Sequence, residues 1–297
     1  MATILITGGN GQLGSELKKI SGQFSGYNFI FTDIAELDIS DPTASNNFIA
    51  ANKPEWIINC AAYNAVDKAE TDFENALKIN AEAVKNIAVA ISGTATRFIH
   101  ISTDYVFDGN NHRPYNEENQ PSPSTRYGQS KLQGEKEALE HHQGSMVIRT
   151  SWLYSSFGSN FVKTIIAKAI ETGKLNVVFD QVGTPTYAAD LAETIMTIVS
   201  GTIKNKFPFV PGLYHYSNEG VCSWYDFAKA ITDIAGIECR VNPVLSAEFN
   251  SIAKRPFYSV MDKSKIKERY NVEIPHWSDS LKKCIPLIFN TINHERI

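Results

Sequence analysis

A short apolar run ending in a cluster of glycines constrains this chain more than any other feature. Residues 1–14 read MATILITGGNGQLG, aliphatic and β-branched up to Thr7 and then glycine at positions 8, 9, 11 and 14. Gly9, Gly11 and Gly14 satisfy G-x-G-x-x-G, and Gly8, Gly11 and Gly14 satisfy G-x-x-G-x-x-G. Such a turn lets backbone approach a pyrophosphate closely, and the helix it opens, from Ser15 to Ile20, aims its free N–H groups at the phosphates. Asp33 follows a second apolar run, 19 residues past Gly14, near the spacing at which a carboxylate meets the adenosine ribose. The glycines alone describe any tight turn. A strand before them, a helix after them and an acid at that distance point to a dinucleotide.

The rest of the chain alternates strand and helix. Asp41-Pro42 is a helix start, with a capping acceptor followed by a proline whose missing N–H costs little. Glu55 to Ala61 is a short apolar strand, residues 69–91 carry apolar side chains at helical spacing, and a further strand closes at Thr103. Met146 to Trp152 and Leu175 to Phe179 read as buried strands, and Asp190 to Val199 as a helix. Beyond Pro208 the pattern shortens and becomes more aromatic, with a strand at Gly212–Tyr216 and a helix at Ser223–Ile234. The expected class is α/β, a Rossmann-type doubly wound parallel sheet with a smaller C-terminal α/β substrate lobe. With 297 residues the expected division is 1–150 for nucleotide binding, with 181–205 returning to it, and 151–180 plus 206–297 for the substrate lobe.

Tyr127 and Lys131 lie one helical turn apart, 24 and 28 residues after Thr103. A neighbouring ammonium favours the phenolate and is expected to lower the tyrosine pKa, which makes the pair an acid/base device. Thr103 could add a hydroxyl at the same carbonyl oxygen. Residues 107–124 are rich in Pro, Gly and Asn and lack periodicity, so this long connection is expected to rim the active site.

Composition narrows the partners. Twenty-eight basic against 32 acidic residues give a net charge of -4 with no basic run, which argues against nucleic acid. Cys60, Cys222, Cys239 and Cys284 show no C-x-x-C spacing, and the seven histidines form no H-E-x-x-H. With no leader-like segment and no apolar stretch of membrane-spanning length, the expected location is the cytoplasm, away from membranes.

Thr7 to Gly14, Asn59 to Ala62, Ser102 to Tyr105 and Tyr127 to Lys131, in this order, make the chain similar to the extended short-chain dehydrogenases/reductases. Arg149 to Trp152, Asp180 to Pro185, Gly212 to His215 and Arg255-Pro256 with Ser259 narrow the resemblance to the dTDP-4-dehydrorhamnose reductases, over nearly the whole chain. That resemblance implies NADPH or NADH across the carboxyl ends of the strands and reduction of a 4-keto sugar nucleotide. Gly8, Gly11, Gln12, Leu13 and Gly14 would meet the pyrophosphate, Asp33 the ribose, and Asp38 and Ile39 the adenine. Ala62, Tyr63 and Asn64 would line the cofactor further along. Tyr127 would protonate the keto oxygen, and Lys131 would hold the nicotinamide ribose. Thr103, Asp104 and Trp152 would bind the sugar and Arg255 the diphosphate. Each has a plainer alternative: Asp104 could cap a turn, Trp152 could fill a core and Arg255 could be a solvated charge.

The resemblance leaves alternatives open. Related dehydratases carry a glutamate where this chain has Tyr105, and the fold also serves as a non-catalytic regulatory subunit of methionine adenosyltransferase. Some family members dimerise around magnesium, which would put Glu16, Asp190 and Glu193 on a metal at a homodimer interface. The same carboxylates have the spacing of helix-capping and dipole residues, and a monomer stays open.

Overall fold

The computed structural model describes residues 1–248 and 251–294. The chain runs β1 (Ala2–Thr7), α1 (Gln12–Ser21), β2 (Tyr27–Thr32), α2 (Pro42–Asn52), β3 (Trp56–Asn59), α3 (Val66–Ala69), α4 (Phe73–Leu77), α5 (Ala83–Ala90) and β4 (Arg97–Thr103). It continues through α6 (Arg126–His141), β5 (Ser145–Thr150), β6 (Leu153–Tyr154), α7 (Phe161–Thr172), β7 (Lys174–Val178), β8 (Val182–Gly183), β9 (Thr186–Tyr187) and α8 (Ala188–Ile203). The remaining elements are β10 (Gly212–His215), β11 (Cys222–Ser223), α9 (Trp224–Ala235), β12 (Arg240–Val244), α10 (Ser264–Tyr270) and α11 (Trp277–His294).

Six strands form the central sheet in the order β10-β5-β4-β3-β1-β2, and every pair is parallel. Successive side chains of a strand face opposite sides, and the cores record it. Ile4, Ile6, Trp56, Ile58, Ile99, Met146 and Ile148 join Leu13 and Leu17 of α1 and Leu191 and Ile195 of α8. Leu5, Ile57, Phe98 and Val147 join Ile49 of α2, Val84 and Ile87 of α5 and Ala138 of α6. A sheet buried on both faces needs the near-continuous apolar strands seen in the sequence. From β1 the chain passes to β2 on one side and then to β3 on the other, so the order reverses between β1 and β3. Ligands of open α/β sheets bind at the carboxyl ends of strands flanking such a switch point.

A second core gathers α7, β7, α9 and α11 around Phe227, Ile231, Leu281 and Ile288. α9 starts on a reciprocal capping box in which the Ser223 hydroxyl accepts from Asp226 N and the Asp226 carboxylate accepts from Ser223 N. One expectation needs correction. β10 pairs with β5 in the main sheet, and Ile266 and Tyr270 of α10 pack into the first core, so the segment 206–297 does not lie wholly in the smaller lobe. Four residues of strand hydrogen-bonding to β5 outweigh the change in composition that suggested a boundary near Pro208. Positions 249–250 and 295–297 of that segment lie outside the described residues.

Residues 69–91 also differ from the single helix expected. They form the end of α3, then α4, a π-helical turn at Lys78–Glu82 and α5. π-turns are rare and stand frequently at functional sites.

Candidate active site

The glycine turn sits at the switch point. Gly8 has φ +69°, a conformation that side chains disfavour, and a Cβ there would lie 2.6 Å from Ala61 N at the end of β3. A Cβ on Gly14 would lie 2.3 Å from Gly8 O, so the first turn of α1 closes directly onto the loop. A cavity of about 330 Å³ opens there, lined by Gly8, Gly11, Asp33, Asp38, Ile39, Ala62 and Asn64 among others. Seven residues singled out in the sequence therefore share one pocket. Asp33 Oδ2 accepts from Asn10 N at 3.0 Å and Oδ1 from Ile34 N at 2.9 Å, which anchors its carboxylate at the pocket edge. Backbone-lined space, a helix N-terminus and a ribose-height carboxylate suit a dinucleotide.

Three of the expected cofactor residues engage their side chains within the protein. Leu13 is buried in the first core. The Gln12 side chain accepts from Asn160 Nδ2 at 3.0 Å, which ties the loop to the second unit. Tyr63 directs its hydroxyl to Asp72 at 3.0 Å.

At the other end of the cleft, β4 ends on Thr103, Asp104 opens the 3-10 turn that follows, and α6 delivers Tyr127 and Lys131; all four are buried. Thr125 caps α6 by accepting from Gly128 N, which fixes the first turn and with it Tyr127. Lys131 Nζ donates to Ile101 O at 2.6 Å, and burial lowers its pKa to about 8 against the pull of Glu135 and Cys60. Burial pushes the Tyr127 phenol upward, and the Thr103 hydroxyl beside it pulls the other way. This corrects the expected lowering. Desolvation outweighs the one-turn spacing, and Lys131 spends its short hydrogen bond on a carbonyl.

Asp104 is pushed up to about 7 by burial, with Thr103 donating to its Oδ1 at 3.0 Å. Its Oδ2 is buried, and the Ser259 hydroxyl beside it pulls the pKa back down. A buried acceptor of this kind suits a hydroxyl-bearing ligand. The Tyr105 ring meets Tyr127 edge-on at 5.5 Å.

A second cavity, about 670 Å³, lies between α7, β7 and α9 and is lined by Phe161, Lys168, Gln181, Trp224 and Arg255 among others. Trp152 adopts φ +48° and stacks on Trp224 with ring centres 3.5 Å apart. Arg255 is ion-paired with Asp67 at 2.8 Å and is not a free surface charge.

Of the acidic trio, Glu16 and Asp190 lie near enough for the Asp190 charge to raise the Glu16 pKa, each bound to other side chains, and Glu193 stands apart. Glu16 is buried and accepts from Ser155 at 2.6 Å, Asp190 accepts from Asn218 at 2.6 Å and from Ser280, and Glu193 is exposed. Among the described residues no group of three metal-ligating side chains converges, so the magnesium expectation has no support within the chain. Asp190 and Glu193 share a helix face only loosely at this spacing, and the protein interior takes one while solvent takes the other.

Sequence reasoning missed three supporting elements. Asn80, fully buried in the π-turn, accepts from Tyr63 N at 2.8 Å and donates to Tyr63 O and to Ser130 Oγ, bracing the cofactor-side loop against α6. Its signal was present: Asn80 interrupts the apolar stripe, four residues from Ala76 and four from Val84. Glu135 receives Arg149 in two parallel bonds at 2.8 and 2.6 Å plus the Ser102 hydroxyl, locking α6 to β4 and β5 beneath the site. Asn59 accepts from Thr7 at 2.7 Å and contacts His100 at 3.1 Å, joining the ends of β1, β3 and β4.

The sheet, the glycine turn and the Thr–Tyr–Lys set are those of an extended short-chain dehydrogenase/reductase, a nicotinamide-dependent oxidoreductase fold. Residues 1–288 match the RmlD substrate binding domain family, and the chain belongs to that family. It is 38% identical over 288 residues to a dTDP-4-dehydrorhamnose reductase of Aggregatibacter actinomycetemcomitans, covering 95% of this chain and 98% of the relative. A crystal structure of a dTDP-4-dehydrorhamnose reductase from Clostridium acetobutylicum superposes with a TM-score of 0.90 at 41% identity, covering 97% of this chain and 99% of the other. A Bacillus anthracis dTDP-4-dehydrorhamnose reductase, solved in complex with NADP, gives 0.91 at 37% identity, covering 96% and 99%.

Proposed function

We propose that this protein reduces the 4-keto group of dTDP-4-dehydro-L-rhamnose to dTDP-L-rhamnose, the last step in making that sugar nucleotide for cell-surface polysaccharide. One observation carries the reading. Thr103 closes β4, Tyr127 and Lys131 stand one turn apart on α6, all three are buried, and Tyr127 meets the ring of Tyr105, whose hydroxyl accepts from Arg255 at the rim of the larger cavity. Reduced nicotinamide, when bound, supplies the hydride for the sugar C4. Tyr127 gives its phenolic proton to the keto oxygen, so that the carbonyl gains one hydride and one proton. A phenol with a raised pKa is protonated at neutral pH and therefore ready to donate. Thr103 holds the same oxygen, Lys131 supplies positive charge beside it, and Asp104 receives a sugar hydroxyl. Trp152 packs on the deoxyhexose, and Arg255 meets the diphosphate.

In this reading residues 151–180 and the C-terminal segments outside β10 and α10 form the substrate side. The protein works in the cytoplasm as a monomer or homodimer, which its four free cysteines suit. Among the described residues no helix is long and apolar enough to cross a membrane. The dehydratase alternative lacks support, because Tyr105 stands where water loss needs a carboxylate. Either NADPH or NADH serves, with Asp33 favouring a free ribose hydroxyl. Purified protein mixed with reduced cofactor and the 4-keto sugar nucleotide is expected to consume the cofactor's absorbance and yield dTDP-L-rhamnose. No consumption with either cofactor overturns the reading.

A further inference from the structure

We propose that Asp67 is a positioning residue for substrate: it fixes Arg255 at the rim of the larger cavity, so that nucleoside diphosphate binding depends on a side chain from the cofactor side. The proposal rests on the sugar-nucleotide reading above. Asp67 stands in α3, three residues after Asn64, which lines the dinucleotide pocket. Arg255 arrives from the far end of the chain and lines the cavity shared with Lys168, Gln181 and Trp224.

The carboxylate of Asp67 gathers the segment that carries this arginine. Its Oδ2 accepts from Arg255 Nη2 at 2.8 Å, and its Oδ1 accepts from Ala253 N at 3.0 Å and from Ser251 Oγ at 3.2 Å. Three donors of different kinds, all within five residues, converge on one side chain from 184 to 188 positions earlier in sequence. The second guanidinium nitrogen, Nη1, donates to Tyr105 Oη at 3.3 Å, and the Tyr105 ring rests against Tyr127. Arg255 is thus held by Asp67, by Tyr105 beside the proton donor and by Ser251 Oγ, which accepts from its Nε at 3.4 Å.

The side chains of Asp67 and Arg255 are 42% and 29% exposed, so solvent screens the pair and its worth to folding is small. Its effect is geometric. A guanidinium already held in its fork orientation loses less freedom on meeting a diphosphate than one free to rotate.

Asp67→Asn keeps the shape and an acceptor for Ala253 while removing the charge that orients Arg255. The dissociation constant for dTDP, measured by calorimetry, is expected to rise about tenfold, and that for NADPH to move by less than about twofold. In turnover, KM for the sugar nucleotide rises by a larger factor than kcat falls, and Asp67→Glu recovers part of the loss. Arg255→Lys, which keeps the charge and loses the fork, shows the same pattern. Wild-type dTDP affinity in a folded Asp67→Asn protein overturns the role of Asp67 and leaves the substrate reading standing. Failure of the wild-type protein to bind dTDP overturns both.

Discussion

The two ends of the cleft are built from different materials. At the glycine turn the pocket is made by backbone and by the lack of side chains: a Cβ on Gly8 or Gly14 would lie only 2.6 or 2.3 Å from neighbouring backbone. At the reacting end the work falls to side chains taken out of water, with Lys131 moved to about 8 and Asp104 to about 7 by burial. Binding a large, charged, ready-made ligand needs space and N–H groups, which sequence encodes locally. Moving a proton needs a shifted pKa, which only surrounding structure supplies.

Substitutions that test this contrast affect one end and spare the other. Tyr127→Phe has the largest expected effect, a loss of about 100-fold to 10,000-fold in kcat with cofactor affinity retained, read by steady-state kinetics and cofactor titration. Near wild-type turnover removes Tyr127 as proton donor. Gly14→Ala acts at the opposite end: its Cβ collides with Gly8 O, and opening the turn costs about 1–3 kcal/mol, felt as weakened cofactor binding and a lower melting temperature. Unchanged cofactor affinity would show that the loop has room the geometry denies.

The pH profile probes the reacting end without mutation. With Lys131 lowered to about 8, its positive charge is complete below that pH and lost as pH rises through it. The reduction rate is expected to fall above pH about 8, by up to about tenfold per unit, while NADPH binding through the glycine turn changes little. A rate that stays flat to pH about 9.5 removes the charge on Lys131 from the mechanism. The smallest effect is expected from Asp33→Asn. Removing a half-exposed negative charge should favour NADPH over NADH by about two- to fivefold in side-by-side kinetics. Strict NADPH dependence of the unmodified protein contradicts the ribose role given to Asp33.

Much of the cleft was legible because its parts are local. The Asp41 cap with Pro42, the Thr103 strand end and the α6 pair each depend on neighbours a few residues away. The sharing of one pocket by Gly8, Asp33, Asp38, Ala62 and Asn64 follows from strand order once the strands are recognised. The magnesium trio misled because spacing fixes only which residues share a helix face. It does not say that Glu16, on a helix remote in sequence but packed against theirs, is held by Ser155 while Asp190 is held by Asn218 and Ser280.

The sequence by itself determined the alternation of strand and helix, the glycine turn and the order of the proposed catalytic side chains, since each is set by side-chain period or backbone geometry over a few residues. The tertiary structure decided that β10 completes the main sheet, that Asn80 turns a helix into a π-turn to hold Tyr63 and Ser130, and that the Tyr127 phenol moves upward. These depend on partners 17 to 66 positions apart and on removal from water. Neither is written in the local order of residues, because desolvation and long-range pairing exist only once the chain has closed around them.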